Sequence, residues 1–157
     1  MKVPISRSSK APIPPLEVFP EMDRYELFYG ELPFMGSVTM EALVEKNDKA
    51  LNAVLLAPTG QTMGKLSYDG KNASLESSFI PYGKYVAPFI TMDMALCYGS
   101  IDKLREFLYP YGIEIEEEDG IRVISCKGRT LYTITEEDGA IMVENLERGY
   151  SYTVEGL

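Results

Sequence analysis

Residues 54–70, VLLAPTGQTMGKLSYDG, decide between two kinds of fold. An apolar run enters a glycine-containing loop that ends in Gly64-Lys65, which resembles a phosphate-binding loop. The Walker A pattern places four residues between its glycines and a Ser or Thr after its lysine. Here three residues separate Gly60 from Gly64, and Leu66 follows the lysine. The alternation that runs on to Asp69-Gly70 is typical of a strand ending in a hairpin turn, whereas a phosphate loop would open a helix.

The same alternation recurs before and after this stretch and predicts a first group of five strands. In the second of them Val38, Met40 and Val44 point one way, while Thr39 and Glu41 point the other. Turns this short cannot support parallel crossovers, so we expect an antiparallel meander. The predicted strands are residues 25–32, 37–45, 49–57, 62–68 and 72–79.

A second group of five strands is predicted at the C-terminal end of the chain. Each strand is joined to the next by a dipeptide that ends in glycine, such as Asp119-Gly120, and such dipeptides favour tight hairpin turns. The predicted strands are residues 113–117, 121–126, 129–135, 140–145 and 150–155.

Between the two groups the apolar spacing changes to that of helices. A first helix is predicted to begin with Pro88 in its first turn and to end at Gly99. Ser100 is predicted to cap a second helix, which ends at Pro110. The apolar stripes of the two helices are Ile90, Met94 and Cys97, and then Ile101, Leu104 and Leu108.

These elements predict an α+β fold in which a curled antiparallel sheet of about ten strands, an incomplete barrel, wraps around a central helical hairpin. So many strands are too many for a flat open sheet, and a curled sheet leaves a concave apolar face that the helices can cover. We expect a single domain over residues 22–157. Residues 1–21 contain five prolines, and since proline cannot donate to a ladder, this segment is predicted to be an extended linker or tether rather than a packed element.

Composition excludes several classes of function. The net charge of −9 argues against nucleic acid as a partner, because phosphate binding needs a basic stripe. The chain has no histidine, and its two cysteines, Cys97 and Cys126, are far apart, so no zinc spacing exists. We expect neither metal nor cofactor nor catalysis. Nothing in the spacing forces the two cysteines into a disulfide, and buried thiols are the slightly favoured alternative.

Two groups of residues can be interpreted either as a functional site or as ordinary surface residues. The acidic run EIEEEDG at residues 114–120 lacks the ligand spacing of a calcium loop and is predicted to be a solvated hairpin tip. The tyrosines suit the mouth of a cavity, with one end apolar and the other wet, and they suit β-surfaces equally well. Those considered are Tyr25, Tyr29, Tyr82, Tyr85, Tyr98, Tyr109, Tyr111, Tyr132, Tyr150 and Tyr152.

Two strings, LAPTGQTMGKLSYDG and MVENLERGYSYTVE, resemble an uncharacterised family of short bacterial outer-membrane lipoproteins often encoded beside aryl-polyene pigment genes. The resemblance extends from about residue 25 to residue 155. That family is related in fold to the lipoprotein carriers LolA and LolB, in which an incomplete barrel encloses a cavity for acyl chains. Pro58 and Gly60 match the proline and glycine of a loop in LolB, where a protruding leucine lies between them. Thr59 occupies the position of that leucine here. Thr59 and Met63 are therefore the two residues of this loop that the resemblance offers for contact with cargo or membrane.

The resemblance implies a periplasmic protein that handles lipids, acyl chains or lipoproteins. It would be tethered to the periplasmic face of the outer membrane by a lipid anchor, on a leader cysteine that we expect to precede this chain. The partners implied are the lipid or acylated cargo and the membrane, with an envelope protein as a further candidate. The residues expected to line the apolar cavity are Val38, Met40, Val44, Leu66, Tyr68, Ile90, Met94, Leu104 and Leu108.

An alternative stays open at this point. The same apolar stripes are what an ordinary filled core contains. In that case the protein would be a non-catalytic accessory or interaction module of a cell-envelope assembly.

Overall fold

The computed structural model describes residues 2–6, 9–33, 35–80 and 83–157. A hairpin of β1 (Lys2–Pro4) and β2 (Lys10–Pro12) precedes the main sheet. The first half of that sheet consists of β3 (Met22–Leu32), β4 (Gly36–Lys46), β5 (Leu51–Leu56), β6 (Thr62–Tyr68) and β7 (Ala73–Glu76). Helices α1 (Gly83–Tyr98) and α2 (Ile101–Leu108) follow. The second half consists of β8 (Ile113–Glu118), β9 (Ile121–Cys126), β10 (Arg129–Glu137), β11 (Ala140–Asn145) and β12 (Tyr150–Gly156).

The predicted fold class is confirmed. The ten strands β3 to β12 form one antiparallel sheet in the order β7-β6-β5-β4-β3-β12-β11-β10-β9-β8. The sheet is not closed, since β7 and β8 are its free ends, and the helices connect those two ends: α1 packs against β7, and α2 packs against β8. The curled sheet therefore wraps around the helices.

The middle of the sheet is where the two halves join, because β3 pairs with β12. Gly30 of β3 lies opposite Tyr152 of β12. A Cβ at Gly30 would overlap the backbone of Ser151 and Tyr152. The absence of a side chain there lets the two strands approach closely where the halves meet.

The hairpin turns form as the sequence predicts. Asp119, Lys127 and Asp138 have φ angles of 52°, 53° and 51°, and each is followed by a glycine with φ between 77° and 79°. Two consecutive residues with positive φ define the type I′ turn, whose twist matches that of the flanking strands. The acidic side chains of residues 114–120 are accordingly exposed along β8 and its turn into β9, while Ile115 between them is buried.

The opening stretch is a hairpin connection, as predicted. Between β5 and β6, the amide of Gly60 donates to the carbonyl of Ala57 at 2.8 Å, and the amide of Ala57 donates to the carbonyl of Gln61 at 2.8 Å. A strand follows this loop instead of a helix. The glycines therefore serve a turn and present no helix N-terminus to a phosphate.

The start of α1 differs from the prediction. Pro88 is inside the helix, not in its first turn, because the helix already includes Gly83. A proline at this depth cannot donate the bond that the carbonyl of Lys84 would normally accept. Tertiary packing outweighs that loss, since Pro88 is buried together with Ala87 and Thr91.

The connection between the helices is only partly as predicted. Ser100 is the N-cap of α2, but its side chain makes no capping bond. Its backbone is used instead: its amide donates to the carbonyl of Val18 at 3.0 Å, and its carbonyl accepts from Leu104. At the end of α1, Arg122 of β9 donates to the carbonyls of Leu96 and Gly99 at 2.7 and 3.1 Å, which joins the helix end to the sheet.

The prediction of an unpacked N-terminal linker is wrong for the described part of residues 1–21. Val18 and Phe19 are each only 2% exposed and belong to the core. The hydroxyl of Tyr68 donates to the carbonyl of Pro14 at 2.8 Å, and Phe19 packs against the Tyr68 ring. The prolines do keep this segment out of the main sheet, but its apolar side chains still pack against the domain.

Side chains fill the space between α2 and the second half of the sheet. Leu104 and Leu108 of α2 are completely buried. They belong to the same core as residues of β8, β9 and β10 that are 2% exposed or less, namely Ile113, Ile115, Ile124 and Leu131. We call this region, α2 with β8 to β10, the filled half.

Candidate functional site: an apolar cavity between helix α1 and the sheet

A cavity of about 770 Å³ lies between α1 and the inner face of the sheet's first half. Its volume is in the range of ligand pockets. Strands β3 to β6 and β12 form one wall, and α1 forms the other. Apolar residues dominate the lining: Phe28, Met40, Ala42, Val44, Ala53, Leu55, Leu66, Val86, Phe89, Ile90, Met94 and Val154. We call this region the hollow half.

Strand alternation explains which side chains reach this cavity. Met40, Ala42 and Val44 are two residues apart on β4, so they lie on one face of the sheet. On the neighbouring strand, Ala53 pairs with Val44 and Leu55 pairs with Ala42. Each pair therefore contains one small residue next to a larger one. The short alanine side chains leave part of the space beneath α1 unfilled.

Two apolar residues of the cavity lining are exposed to solvent: Pro33, just after β3, and Tyr85, in the first turn of α1. The lining nearby includes Leu32 at the end of β3 and Met35 in the β3–β4 connection. Tyr85 is 69% exposed. The cavity is thus lined by both buried and exposed apolar side chains, and we call its exposed part the rim.

One side of the cavity carries a buried polar cluster centred on Asp93 of α1. Its Oδ1 accepts a bond from the Tyr132 hydroxyl at 2.7 Å, and its Oδ2 accepts bonds from the hydroxyls of Tyr150 at 2.6 Å and Tyr152 at 3.0 Å. Burial raises the pKa of Asp93, while the three hydroxyl donors and the nearby Arg148 oppose that shift. The cluster ties α1 to β10 and β12.

A second polar group lies on the cavity wall at Glu26 of β3. This carboxylate is only 1% exposed. It accepts a bond from the Tyr98 hydroxyl at 2.6 Å and pairs with the Arg24 guanidinium at 3.2 Å. Burial is the main cause that raises the pKa of Tyr98, followed by the charge of Glu26. Glu26 therefore has its partners within the protein.

The β11–β12 connection supplies the remaining charged groups of the cavity wall, Glu147 and Arg148. Glu147 pairs with Arg129 at 3.0 Å. The Arg148 guanidinium lies 4.6 Å from the centre of the Phe89 ring and donates to the carbonyl of Pro4 at 2.7 Å. This loop thus places a cation beside an apolar wall of the cavity and joins that wall to the N-terminal hairpin.

Five of the predicted cavity residues line this cavity: Met40, Val44, Leu66, Ile90 and Met94. Three others belong to the packed core, which corrects the prediction for them. Leu104 and Leu108 fill the space beneath α2, and Tyr68 is 1% exposed against Phe19. The spacing of these apolar residues correctly predicts that they face the interior. It does not reveal whether other side chains or a cavity lie in front of them.

Val38 lines a different, open groove on the sheet together with Tyr29, Thr39 and Thr153. The predicted loop residues also lie outside the cavity lining as described. Thr59 is exposed at the tip of the β5–β6 connection. Met63 is half-buried, and its carbonyl accepts a bond from the Ser77 hydroxyl.

Several residues of the site were not predicted, although the sequence held signals for two of them. Asp93 is the only acidic residue of α1. It lies three residues after Ile90, on the predicted apolar stripe, where a buried carboxylate needs a partner. Glu26 occupies a position that the alternation of β3 assigns to the inner face, in phase with Phe28. Tyr85, Tyr98, Tyr150 and Tyr152 do line the cavity, whereas Tyr82 lies outside the described residues.

Both cysteines are free thiols, but the favoured alternative of two buried thiols holds fully only for Cys126, since Cys97 is half-buried. Cys97 lies on the cavity wall, and burial raises the pKa of its thiol. Cys126 is buried at the end of β9. Within residues 2–6, 9–33, 35–80 and 83–157, no group of three or more His, Cys, Asp or Glu side chains is arranged to hold a metal ion.

Comparison with known families places most of the chain in one of them. Residues 35–157 match the family described as "Protein of unknown function (DUF3261)". The match covers most of the chain, which therefore belongs to this family. Neither curated proteins nor solved structures gave a match. Within the described residues, no helix has the length and apolar character needed to cross a membrane.

Proposed function

We propose that the protein binds the acyl chain of a lipid or of an acylated protein in the cavity of the hollow half. One observation carries the proposal: a single, mostly apolar cavity is lined both by buried residues such as Leu66 and Val44 and by the exposed Tyr85. Apolar cargo would be held by burial of its surface, and no covalent bond would be made or broken. The protein is therefore proposed to be a carrier or acceptor and not an enzyme.

The energetics set a minimum length for such a ligand. Each buried methylene gains about 0.8 kcal/mol, so a chain of about ten methylenes gains about 8 kcal/mol. Association costs about 4 kcal/mol or more in lost freedom of motion. Short chains should therefore bind poorly, and affinity should rise with chain length until the cavity of about 770 Å³ is full.

The polar groups of the cavity wall favour binding over catalysis. Asp93 already accepts three hydroxyl bonds, and Glu26 is engaged by Tyr98 and Arg24. A general base needs a lone pair within reach of the substrate proton. Carboxylates that are occupied in this way support the structure and leave the cavity apolar.

The cellular setting is proposed from the resemblance described above. In that setting the protein is anchored to the periplasmic face of the outer membrane and works like the lipoprotein carriers LolA and LolB. The exposed Thr59 at the tip of the β5–β6 connection would then be the site of contact with cargo or membrane. Its hydroxyl side chain would insert less readily than the leucine of LolB.

A second candidate function, a non-catalytic accessory module of an envelope assembly, is favoured by a different surface. Tyr25 and Leu43 are paired across β3 and β4 and are each 44% exposed. Val54 is the partner of Leu43 on β5. This apolar row on the outer face could bind a protein partner whether or not the cavity holds a ligand.

Native mass spectrometry of the protein purified from its own envelope tests the carrier proposal. We expect an additional mass corresponding to a bound lipid. Ile90→Trp on the cavity wall should abolish that mass by filling the space, with the melting temperature largely kept. Ile121→Trp is the matched control, because Ile121 is 41% exposed on β9, outside the cavity lining.

Two results would contradict the carrier proposal. One is an unmodified protein that carries no lipid and also fails to bind long-chain fatty acids added in vitro. The other is a lipid mass that Ile90→Trp and Ile121→Trp leave equally intact, since the lipid would then lie elsewhere on the protein.

A further inference from the structure

The charged side chains of the cavity wall differ in whether they have partners within the protein. This difference indicates where the polar end of a ligand could bind. Three carboxylates line the cavity, Glu26, Asp93 and Glu147. Each has partners within the protein: an arginine and a tyrosine for Glu26, three tyrosine hydroxyls for Asp93, and Arg129 for Glu147. The negative charges of the wall are therefore already engaged.

Arg148 differs from these groups. Among the described residues it is the only cationic side chain on the cavity wall. It acts on Asp93 through space, yet no carboxylate of the described part lies within ion-pair distance of it. Of its five N–H donors, the described contacts use one, for the carbonyl of Pro4. The guanidinium thus keeps both its charge and most of its donors.

The position of this guanidinium fits the polar end of a bound chain. It lies over the ring of Phe89, which is itself part of the apolar lining. Arg148 is exposed, so its charge stays in contact with water, while Phe89 beneath it forms part of the cavity wall. A ligand with its chain in the cavity would place its head group at such a boundary.

We infer that Arg148 is a head-group site and that the ligand is an acyl chain with an anionic end, a carboxylate or a phosphate. Guanidinium groups bind both anions through paired, charge-assisted hydrogen bonds. This inference rests on the proposed function, because it assumes that the chain occupies the cavity. It adds a charge preference that an apolar cavity alone would not have.

Displacement of a neutral fluorescent naphthylamine dye tests the inference. The competitors are a long-chain fatty acid, the alkyl phosphate of equal length and the methyl ester of the fatty acid. We expect the unmodified protein to bind at least one of the two anions at least tenfold more tightly than the ester. Arg148→Gln should remove that preference and leave ester binding unchanged. Arg105→Gln, which removes an exposed arginine of α2, is the control and should leave the preference intact.

The outcomes separate this inference from the proposed function. If the ester binds as tightly as both anions, or if Arg148→Gln weakens all three competitors equally, the head-group role is wrong while the cavity still binds chains. If neither the dye nor any competitor binds, both fail. The affinities of the fatty acid and of the alkyl phosphate, compared with each other, show which anion the site prefers.

Discussion

The two halves of the molecule use one sheet and similar residues, yet one is filled and the other is hollow. Beneath α2, Leu104 and Leu108 are completely buried against the isoleucines of β8 and β9. Beneath α1, Ile90 and Met94 are only half-buried and face a cavity of about 770 Å³. On the strands opposite α1, alanines occupy positions 42 and 53. Side-chain size therefore accounts for the filled space beneath α2 and the cavity beneath α1.

This comparison suggests a division of labour between stability and binding. Close-packed side chains contribute the most to stability, since removing even one methylene from such a core lowers the free energy of unfolding. A cavity wall contributes less, because its side chains have no partner atoms on one side. The filled half and the N-terminal segment should then hold the fold together while the hollow half stays free to bind.

Deleting residues 1–19 should have the largest effect. Burying side chains such as Val18 and Phe19 contributes about 1.5–3 kcal/mol each, and both are 2% exposed. The deletion also removes Pro14, the partner of the Tyr68 hydroxyl. We expect a loss of several kcal/mol, enough to unfold a marginally stable domain at 25 °C. Circular dichroism melts of the full and truncated chains would measure the loss.

Equal melting temperatures for the two chains would contradict the packing of this segment. They would instead support a free tether. Phe19→Ala alone tests the same contact with a smaller expected loss of about 3–5 kcal/mol.

Truncating one residue in each half compares them directly. Leu104→Ala should cost about 2–5 kcal/mol, the range for a leucine in a close-packed core. Ile90→Ala should cost roughly half as much or less, because its side chain already borders empty space. Urea unfolding of both variants gives the two free energies. If Ile90→Ala were the more costly of the two, the hollow half would be closely packed and the comparison would fail.

Asp93 links the two halves and should give the protein a characteristic pH dependence. Burial raises its pKa in the folded state above the ordinary value of about 3.9. The contribution of such a carboxyl to stability is fully present below about pH 3.9 and is lost as the pH rises through the folded-state pKa. The unmodified protein should therefore lose stability relative to Asp93→Asn as the pH rises.

Melting temperatures of the two proteins at a series of pH values from 3 upward would measure this difference. A gap that stays constant across the series would show that Asp93 titrates normally. A gap that changes in the opposite direction would show that the tyrosine bonds outweigh burial.

Much of the sheet could be predicted from sequence because its signals are local. Asp-Gly and Lys-Gly dipeptides set the turns, and strict alternation sets the strands, so β6, β9 and β11 occur with the predicted bounds. The helix stripes were also recognised by their period. These features depend on neighbours within a few residues of one another.

The features that were mispredicted depend on distant contacts. Pro88 was placed in a first turn because local preference favours it there, whereas packing carries the helix further. Nothing in the sequence near Phe19 indicates that it packs against the ring of Tyr68, about fifty residues away in the chain. Likewise, no period distinguishes Leu104, which meets other side chains, from Met94, which meets a cavity.

If the space beneath α1 is a binding cavity, two methionines of that helix should respond differently to the same substitution. Met94 lines the cavity, whereas Met92 is 1% exposed and belongs to the core. Residues two apart on a helix point in nearly opposite directions. The same change, Met→Gln, can therefore be made on the side of α1 that faces the cavity and on the side that faces the core. Urea unfolding and fatty-acid displacement would be measured for both variants.

Met92→Gln should lose the packing of the thioether and bury an amide, which costs about 1–3 kcal/mol if it finds no partner, and it should leave ligand affinity per folded molecule unchanged. Met94→Gln should cost less than about 1 kcal/mol, because water in the cavity can solvate the amide, and it should weaken fatty-acid binding at least threefold. The account would be contradicted if Met94→Gln were as destabilising as Met92→Gln and the unmodified protein bound no fatty acid.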